Sequence, residues 1–500
     1  MAQAGSRDAT SIEALASAAT DFLLNGPHGD DPVLNFLSPA ELAAAFDDVI
    51  PLELADELPA RSAEELRAAV DLVIRHSVQT SHPRFFNQNF AGPDPIAVVG
   101  DWLGAALNTT NATFEAAPVF TLMEGAVLRK LAAVAGIDHD SRFDAPPPGM
   151  FAPGGSTATL YAMQLARHRR QPNMVDEGAG SERLVLFVSD AGHYAAVKSA
   201  ALLGLGRNSV IEVATDDVGV MDVDALRDAI DAARTAGDSP FMVIATAGTT
   251  VTSAFDPIDS IADVCQAESL WLHVDGCYGG SALFSAGERH RLAGVERSDS
   301  FVWNLHKMMG VTQQCTALLL ADPAQLGPCF ATGADYIFQP DKLYGEFDSG
   351  DKHFQCARRV DSLKLWLLWQ ARGDAGFEAR IDHSVAMANR VRQLVDDSDG
   401  EFAFVVRGDF TNVTFLWVPP EFRPFDLAAL SEADHAALHA LSPVMKSKMQ
   451  AEGTSLLGFQ PVLGINCLRW LFMNDAVGVD DVDAVFAHLG RYGREAWAER

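Results

Sequence analysis

Three short apolar runs, RLVLFVSD, FMVIATAG and LWLHVD, alternate with helix-patterned stretches such as SIADVCQAE between about Gly92 and Gln370. A strand that is apolar throughout has no face to turn to water and must be covered on both sides. Alternating strands and helices supply that cover when the strands run parallel. The expectation is an α/β domain built on a mostly parallel central sheet. At 500 residues the chain exceeds the roughly 250–300 at which one core stops growing, so smaller domains are expected beside it. Upstream, SIEALASAATDFLL, SPAELAAAFDDVI and SAEELRAAVDLVIRHSV space apolar residues at three and four behind Ser or Ser-Pro starts, the pattern of helices, and PLELADELPA links the last two. Downstream, a helical segment runs toward Val395. After it, FAFVVRG, NVTFLWVP, CLRWLFMN and a helix near Asp480–Tyr492 predict a small α+β domain. The expected division is a helical dimerisation segment over 1–91, a large domain over 92–372 and a small C-terminal domain over 373–500.

Charge narrows the class of function. Against 67 acidic residues stand 37 basic ones, only 8 of them lysine, for a formal charge of −30. Such a surface is solvated and self-repelling, and it excludes nucleic acid and anionic membranes as partners. No apolar run approaches the roughly 20 residues of a membrane span, and the N-terminus lacks the basic start and apolar core of a signal peptide. A cytoplasmic protein is expected. The six cysteines form no C-x-x-C pair and no His/Cys cluster at zinc spacing, so neither a disulfide framework nor a structural metal is expected.

In a doubly wound sheet, ligands collect at the carboxyl ends of the strands. LWLHVDGCYGG ends an apolar strand on Asp275, and 32 residues later FVWNLHKMMG places Lys307 just after a second run, SFVWN. An Asp-Gly pair by itself reads as a turn cap. A lysine there reads either as a snorkelling surface residue or as a desolvated amine able to form a Schiff base. In SDAGHYAAVKSA, His193 precedes a helix, where a cap or surface residue is the commoner reading. APGGSTATLYAMQLAR puts Gly155 and Ser156 at a helix start, which suits a phosphate and equally an ordinary cap.

Taken together and in order, HPRFFNQ, ATAGTTVTSAFDPI, LWLHVDGCYGG, FVWNLHKMMG, FQPDK and DSGDKHFQCARRVDSLKLWLLW resemble the group II decarboxylases dependent on pyridoxal 5'-phosphate. The nearest branch contains glutamate decarboxylase and cysteine sulfinate decarboxylase. The resemblance implies fold type I, the aspartate-aminotransferase-like fold, a homodimer, and decarboxylation of an amino acid. It implies that Lys307 carries the cofactor, Asp275 pairs with its pyridine nitrogen and His193 stacks on its ring. It further implies that Gly155, Ser156, Asn304 and His306 hold the phosphate end and that Thr246 lies near the ring hydroxyl. Tyr344, in DKLYGEFDSGDK, matches a proton donor on a mobile loop that closes over the neighbouring subunit. Gln88 and Arg469 match residues that contact substrate acid groups, which favours glutamate, aspartate or cysteine sulfinate. The chain departs from the pattern at Ala112, where relatives carry an aromatic residue, and at Cys277 and Tyr278, where they carry Ala-Trp. Leu305 replaces a proline, Phe347 falls near a second loop tyrosine, and the loop is one residue shorter. An apolar or aromatic amino acid is therefore the alternative substrate, and an aminotransferase or aldehyde-forming oxidase the alternative chemistry.

Overall fold

The computed structural model describes residues 2–334, 336–339 and 341–500, with side chains from residue 9 onward. The chain forms two compact units. One takes the residues up to Pro95, Met387–Val405 and Phe415–Arg500; the other takes Ile96–Ala386 and Val406–Thr414. The N-terminal segment thus falls into the same unit as the C-terminal one.

The first unit opens with helices α1 (Ala2–Asn25), α2 (Pro39–Asp47) and α3 (Ala63–His76), then a short strand β1 (Phe85–Phe86). Ser38 and Ser62 cap α2 and α3 through complete capping boxes with Glu41 and Glu65, satisfying donors that a helix start otherwise leaves open.

The second unit holds β2 (Gly149–Ala152), β3 (Leu184–Ser189), β4 (Val210–Val213), β5 (Ser239–Thr246), β6 (Trp271–Asp275), β7 (Ser300–Asn304) and β8 (Thr316–Leu320). Helices α4 (Pro95–Leu107), α5 (Pro118–Ala135), α6 (Gly155–Arg170), α7 (Met174–Glu177), α8 (Ala195–Leu202), α9 (Val223–Thr235), α10 (Ile258–Glu268), α11 (Leu326–Phe330) and the start of α12 (Ser362–Asp396) alternate with them. The strands form one sheet in the order β2-β8-β7-β6-β5-β3-β4. Its members run parallel except β8, which is antiparallel to both neighbours. Every residue of β3, β6, β7 and β8 is buried, as strands covered on both faces require.

Returning to the first unit, the chain adds β9 (Phe402–Ala403), β10 (Asn412–Trp417), α13 (Glu432–His439), α14 (Leu441–Glu452), β11 (Leu456–Val462), β12 (Ile465–Leu471) and α15 (Val479–Ala498). The small sheet has the order β1-β11-β12-β10-β9. Two features differ from the sequence expectation. FAFVVRG supplies only the two residues of β9, because the backbone from Val406 leaves the sheet and joins the α/β unit. LLGFQPV is a strand that its Gly and Pro disguise. It pairs with β12 through a two-residue turn in which Leu463 and Gly464 both have positive φ, 46° and 83°. No helix among the described residues is long and apolar enough to cross a membrane.

Candidate active site

The register of the large sheet builds the site. Thr246 and Asp275 are paired neighbours at the carboxyl ends of β5 and β6, and β7 ends beside them at Asn304, three residues before Lys307. This is where a doubly wound sheet collects ligands. A cavity of about 160 Å³ opens there. Gly155, Ser156, His193, Thr246, Asp275, Asn304 and Lys307, all expected from sequence, line it, together with Cys277 and Tyr278.

Each wall has a local cause. At the start of α6, Gly154 has φ 142°, and a Cβ on Gly155 would strike Cys277 Sγ and lie 3.0 Å from Asn304 Nδ2. Only glycine leaves room for a ligand against these backbone N–H groups. Asn304 Oδ1 accepts a hydrogen bond from Thr316 Oγ1 at 2.9 Å, which leaves its NH₂ for the cavity. Thr246 is pinned from behind, where its backbone N–H donates to Asp256 Oδ2 at 2.7 Å. His193 Nδ1 accepts the N–H of Ala195 at 3.3 Å, so the ring hydrogen sits on Nε2. Burial lowers its pKa, against the pull of Asp275, and the imidazole is neutral at pH 7. Burial pushes the Asp275 carboxyl up, but hydrogen bonding to Cys277 and the nearby Lys307 hold it below the ordinary value. It is therefore an anion although only 9% exposed. Lys307 stands on a turn fixed by its own N–H to Asn304 O at 3.1 Å and by Arg380 Nε to Met308 O at 2.9 Å.

The segment 406–414 braces this wall. Tyr278 Oη is hydrogen-bonded to Thr411 Oγ1, and Asn412 Nδ2 donates to Thr250 O at 2.9 Å. Sequence reading missed this brace, because NVTFLWVP reads only as a strand.

An amine, an anionic carboxylate, a neutral imidazole and a crowded helix start around one cavity fit a phosphorylated aromatic aldehyde with a basic ring nitrogen. The comparisons agree. Residues 48–418 match the profile of the pyridoxal-dependent decarboxylase conserved domain. The chain belongs to the pyridoxal-dependent decarboxylase family. Human cysteine sulfinic acid decarboxylase is 41% identical over 498 residues, covering 98% of this chain and 97% of that protein. Human acidic amino acid decarboxylase GADL1 is 37% identical, covering 97% of this chain and 90% of that one. The crystal structure of mouse CSAD superposes with a TM-score of 0.90 at 40% identity, covering 97% of this chain and 98% of that chain. This decarboxylase uses pyridoxal phosphate and has the aspartate-aminotransferase-like fold of the group.

Four expected residues lie elsewhere in the decarboxylase. His306 is not among the residues that line the cavity. Its Nδ1 lies 2.9 Å from Cys315 O, and burial lowers its pKa to about 4. Tyr344 has φ 62° and is 49% exposed, on a loop docked against residues 111–114. There its ring meets Phe114 at 5.3 Å, and Gly350 N–H donates to Ala112 O at 2.8 Å. The altered residue Ala112 and the tyrosine loop therefore form one structural piece. Gln88 and Arg469 belong to the other unit. Gln88 is exposed, whereas Arg469 on β12 is 4% exposed and donates to Asn89 Oδ1.

The crowding at Gly155 gives a direct expectation. Gly155→Ala overpacks the helix start, a change that costs about 1–3 kcal/mol, and binds the cofactor roughly tenfold or more weakly. Titration of cofactor-free protein with pyridoxal phosphate measures this, and unchanged affinity would remove the helix start from the phosphate site.

Proposed function

We propose that the chain is a cytoplasmic, homodimeric enzyme that removes the α-carboxylate of an acidic L-amino acid, with glutamate, aspartate and cysteine sulfinate as candidate substrates. The observation that carries the chemistry is the convergence of Lys307, Asp275 and His193 on one cavity at the sheet's carboxyl edge. Pyridoxal phosphate, once bound, supplies an electron sink for the pair released as carbon dioxide leaves. The protein does the rest. Lys307 offers the amine that tethers the cofactor, and Asp275 keeps a proton on the pyridine nitrogen. His193 presents a flat neutral face, while Gly155, Ser156 and Asn304 orient the phosphate.

Acidic substrates are supported by the names of the relatives and by a cationic corner in the small-sheet unit. Lys446 Nζ bonds Asn87 Oδ1 at 2.9 Å, and burial, together with the nearby Arg469, lowers its pKa. Two cations lie with the Asn87–Asn89 strip, so an anion is welcome there. Sequence reading missed Lys446, because in MKSKMQ it passes for a surface lysine. A homodimer is supported by α4, whose Val99, Trp102, Leu103 and Leu107 are 41–60% exposed, an apolar face that a second copy would cover. The exposed Ile12 and Leu24 of α1 support a dimerisation role for the N-terminal segment. Tyr344 does not line the cavity of its own chain, and we place it over that of the partner. The six free cysteines suit a reducing compartment.

The test is carbon dioxide release with pyridoxal phosphate across glutamate, aspartate, cysteine sulfinate, cysteate, leucine, methionine and an aromatic amino acid. Release confined to the acids is expected. In Arg469→Met, loss of a charged hydrogen-bond partner, about 1.5–3 kcal/mol, should raise KM about tenfold or more. Preference for an apolar or aromatic substrate would overturn the substrate assignment, and keto acid or hydrogen peroxide in place of amine would overturn the reaction.

A further inference from the structure

A second cavity, of about 200 Å³ against about 160 Å³ for the cofactor cavity, lies between α5, the strip 143–150, the start of α11 and the loop that carries Tyr344. The two cavities share no lining residue. Phe143, Met150, Leu326 and Phe347 give the second an apolar wall, and Arg129, Lys352 and His353 supply polar groups. An apolar hollow with a few convergent polar groups is how ligand sites are built.

These polar groups have bonding capacity left. His353 is 5% exposed, and neither ring nitrogen completes a hydrogen bond, although the backbone of Gln355 lies near. A buried imidazole left in this state costs free energy until a partner arrives. Burial lowers its pKa to about 3, so at pH 7 it is neutral and offers one N–H. Arg129 and Lys352 are half-buried cations, and burial lowers the pKa of each. The carboxylate whose charge each one feels is engaged elsewhere: Asp140 with Arg142 at 2.7 Å, and Asp348 with Lys342 at 2.5 Å. Three carboxylates also border the cavity. Glu124 is matched by Arg358 at 2.8 and 3.1 Å, and Asp144 and Glu346 are exposed, where solvent screens them. The balance inside favours an anion.

We propose that this cavity is a second ligand site, which takes a small monocarboxylate with an apolar body. Its carboxylate pairs with Arg129 and Lys352 and accepts the N–H of His353, while its apolar body lies against Phe143 and Phe347. Arg129 belongs to α5, whereas Phe347, Lys352 and His353 follow Tyr344 on the loop segment. An occupant therefore ties that segment to α5.

Benzoate is the probe, titrated by isothermal calorimetry into the protein loaded with pyridoxal phosphate, with the folding of each variant followed by near-ultraviolet circular dichroism. Saturable binding is expected, and benzamide, which has the same shape without the charge, should bind at least about tenfold more weakly. Arg129→Met should weaken benzoate about tenfold or more, and His353→Phe, which keeps a ring and loses the donor, at least about threefold. Arg469→Met should leave benzoate affinity unchanged. No saturable binding, benzamide as tight as benzoate, or unchanged affinity in His353→Phe would each overturn the proposal. So would benzoate lost in Arg469→Met and kept in Arg129→Met, which would place it with the cations of the small-sheet unit. The loop supplies a readout of its own. Saturating benzoate should slow proteolytic cleavage within residues 342–350 several-fold in wild type, and the same concentration should not do so in Arg129→Met. Cleavage of wild type that benzoate leaves unslowed would overturn the tie between occupant and loop.

Discussion

Lys307→Ala should purify without the visible absorbance of a lysine-bound cofactor and release carbon dioxide at least about 10²–10⁴-fold more slowly, the range for removing one positioned proton-transferring group. The expectation rests on how the lysine is delivered. Its turn is closed by its own N–H to Asn304 O and by Gly310 N–H to Lys307 O at 3.4 Å, and Arg380 anchors the next residue, Met308. The amine thus leaves a fixed backbone at the end of β7 and enters a cavity whose other walls are equally fixed, so little entropy is lost when it reacts. Charge alone cannot replace it. Lys307→Arg keeps a cation opposite Asp275 but cannot lose its proton to become a nucleophile, and it should be as inactive as alanine. A Lys307→Ala protein with the normal absorbance would sink the assignment. A Lys307→Arg protein with appreciable activity would show that the residue serves only as a counter-charge.

Much of this site was legible, though not from its strand ends alone. Asp275 closes an apolar run and Gly155 stands at a helix start, signals that alone read equally as a turn cap and an ordinary helix cap. The ordered family motifs turn them into a site, and Thr246 and Asn304 are legible through those motifs only. The small sheet was less legible. β11 contains Gly458 and Pro461, and β9 keeps only two residues of its apolar run, so composition there misstates the pairing. His306 shows the limit of adjacency: it neighbours Lys307 in sequence, yet its Nδ1 lies against the backbone of Cys315. Long-range polar partners were invisible altogether. Nothing in CARRVD tells Arg358 from Arg359, yet the first is 4% exposed while the side chain of the second is 63% exposed.

That buried arginine carries the largest expected effect on stability. Arg358 Nη1 meets both oxygens of Glu124 on α5 at 2.8 and 3.1 Å, while its Nη2 donates to Asn111 O at 2.9 Å and to Ser349 Oγ at 2.7 Å. Glu124 also accepts from Asn111 Nδ2 at 2.5 Å. One guanidinium therefore ties together α5, the strip holding Ala112 and the loop that carries Tyr344. Arg358→Met preserves much of the volume but leaves the Glu124 carboxylate buried without its counter-charge. Breaking such a pair costs about 3–5 kcal/mol, far more than the median exposed ion pair. The loss should appear as a lowered urea midpoint. Adding Glu124→Gln should recover part of it, because the stranded charge is then gone, and the double-mutant cycle isolates the coupling. The loop gives a separate readout, since with Ser349 and Asn111 released, limited proteolysis should cut within residues 342–350 faster than in wild type at equal fractions folded. An Arg358→Met protein that loses less than about 1 kcal/mol and keeps wild-type protease resistance would mean that the aromatic contacts of Phe114 with Tyr344 and Phe347 hold the loop unaided.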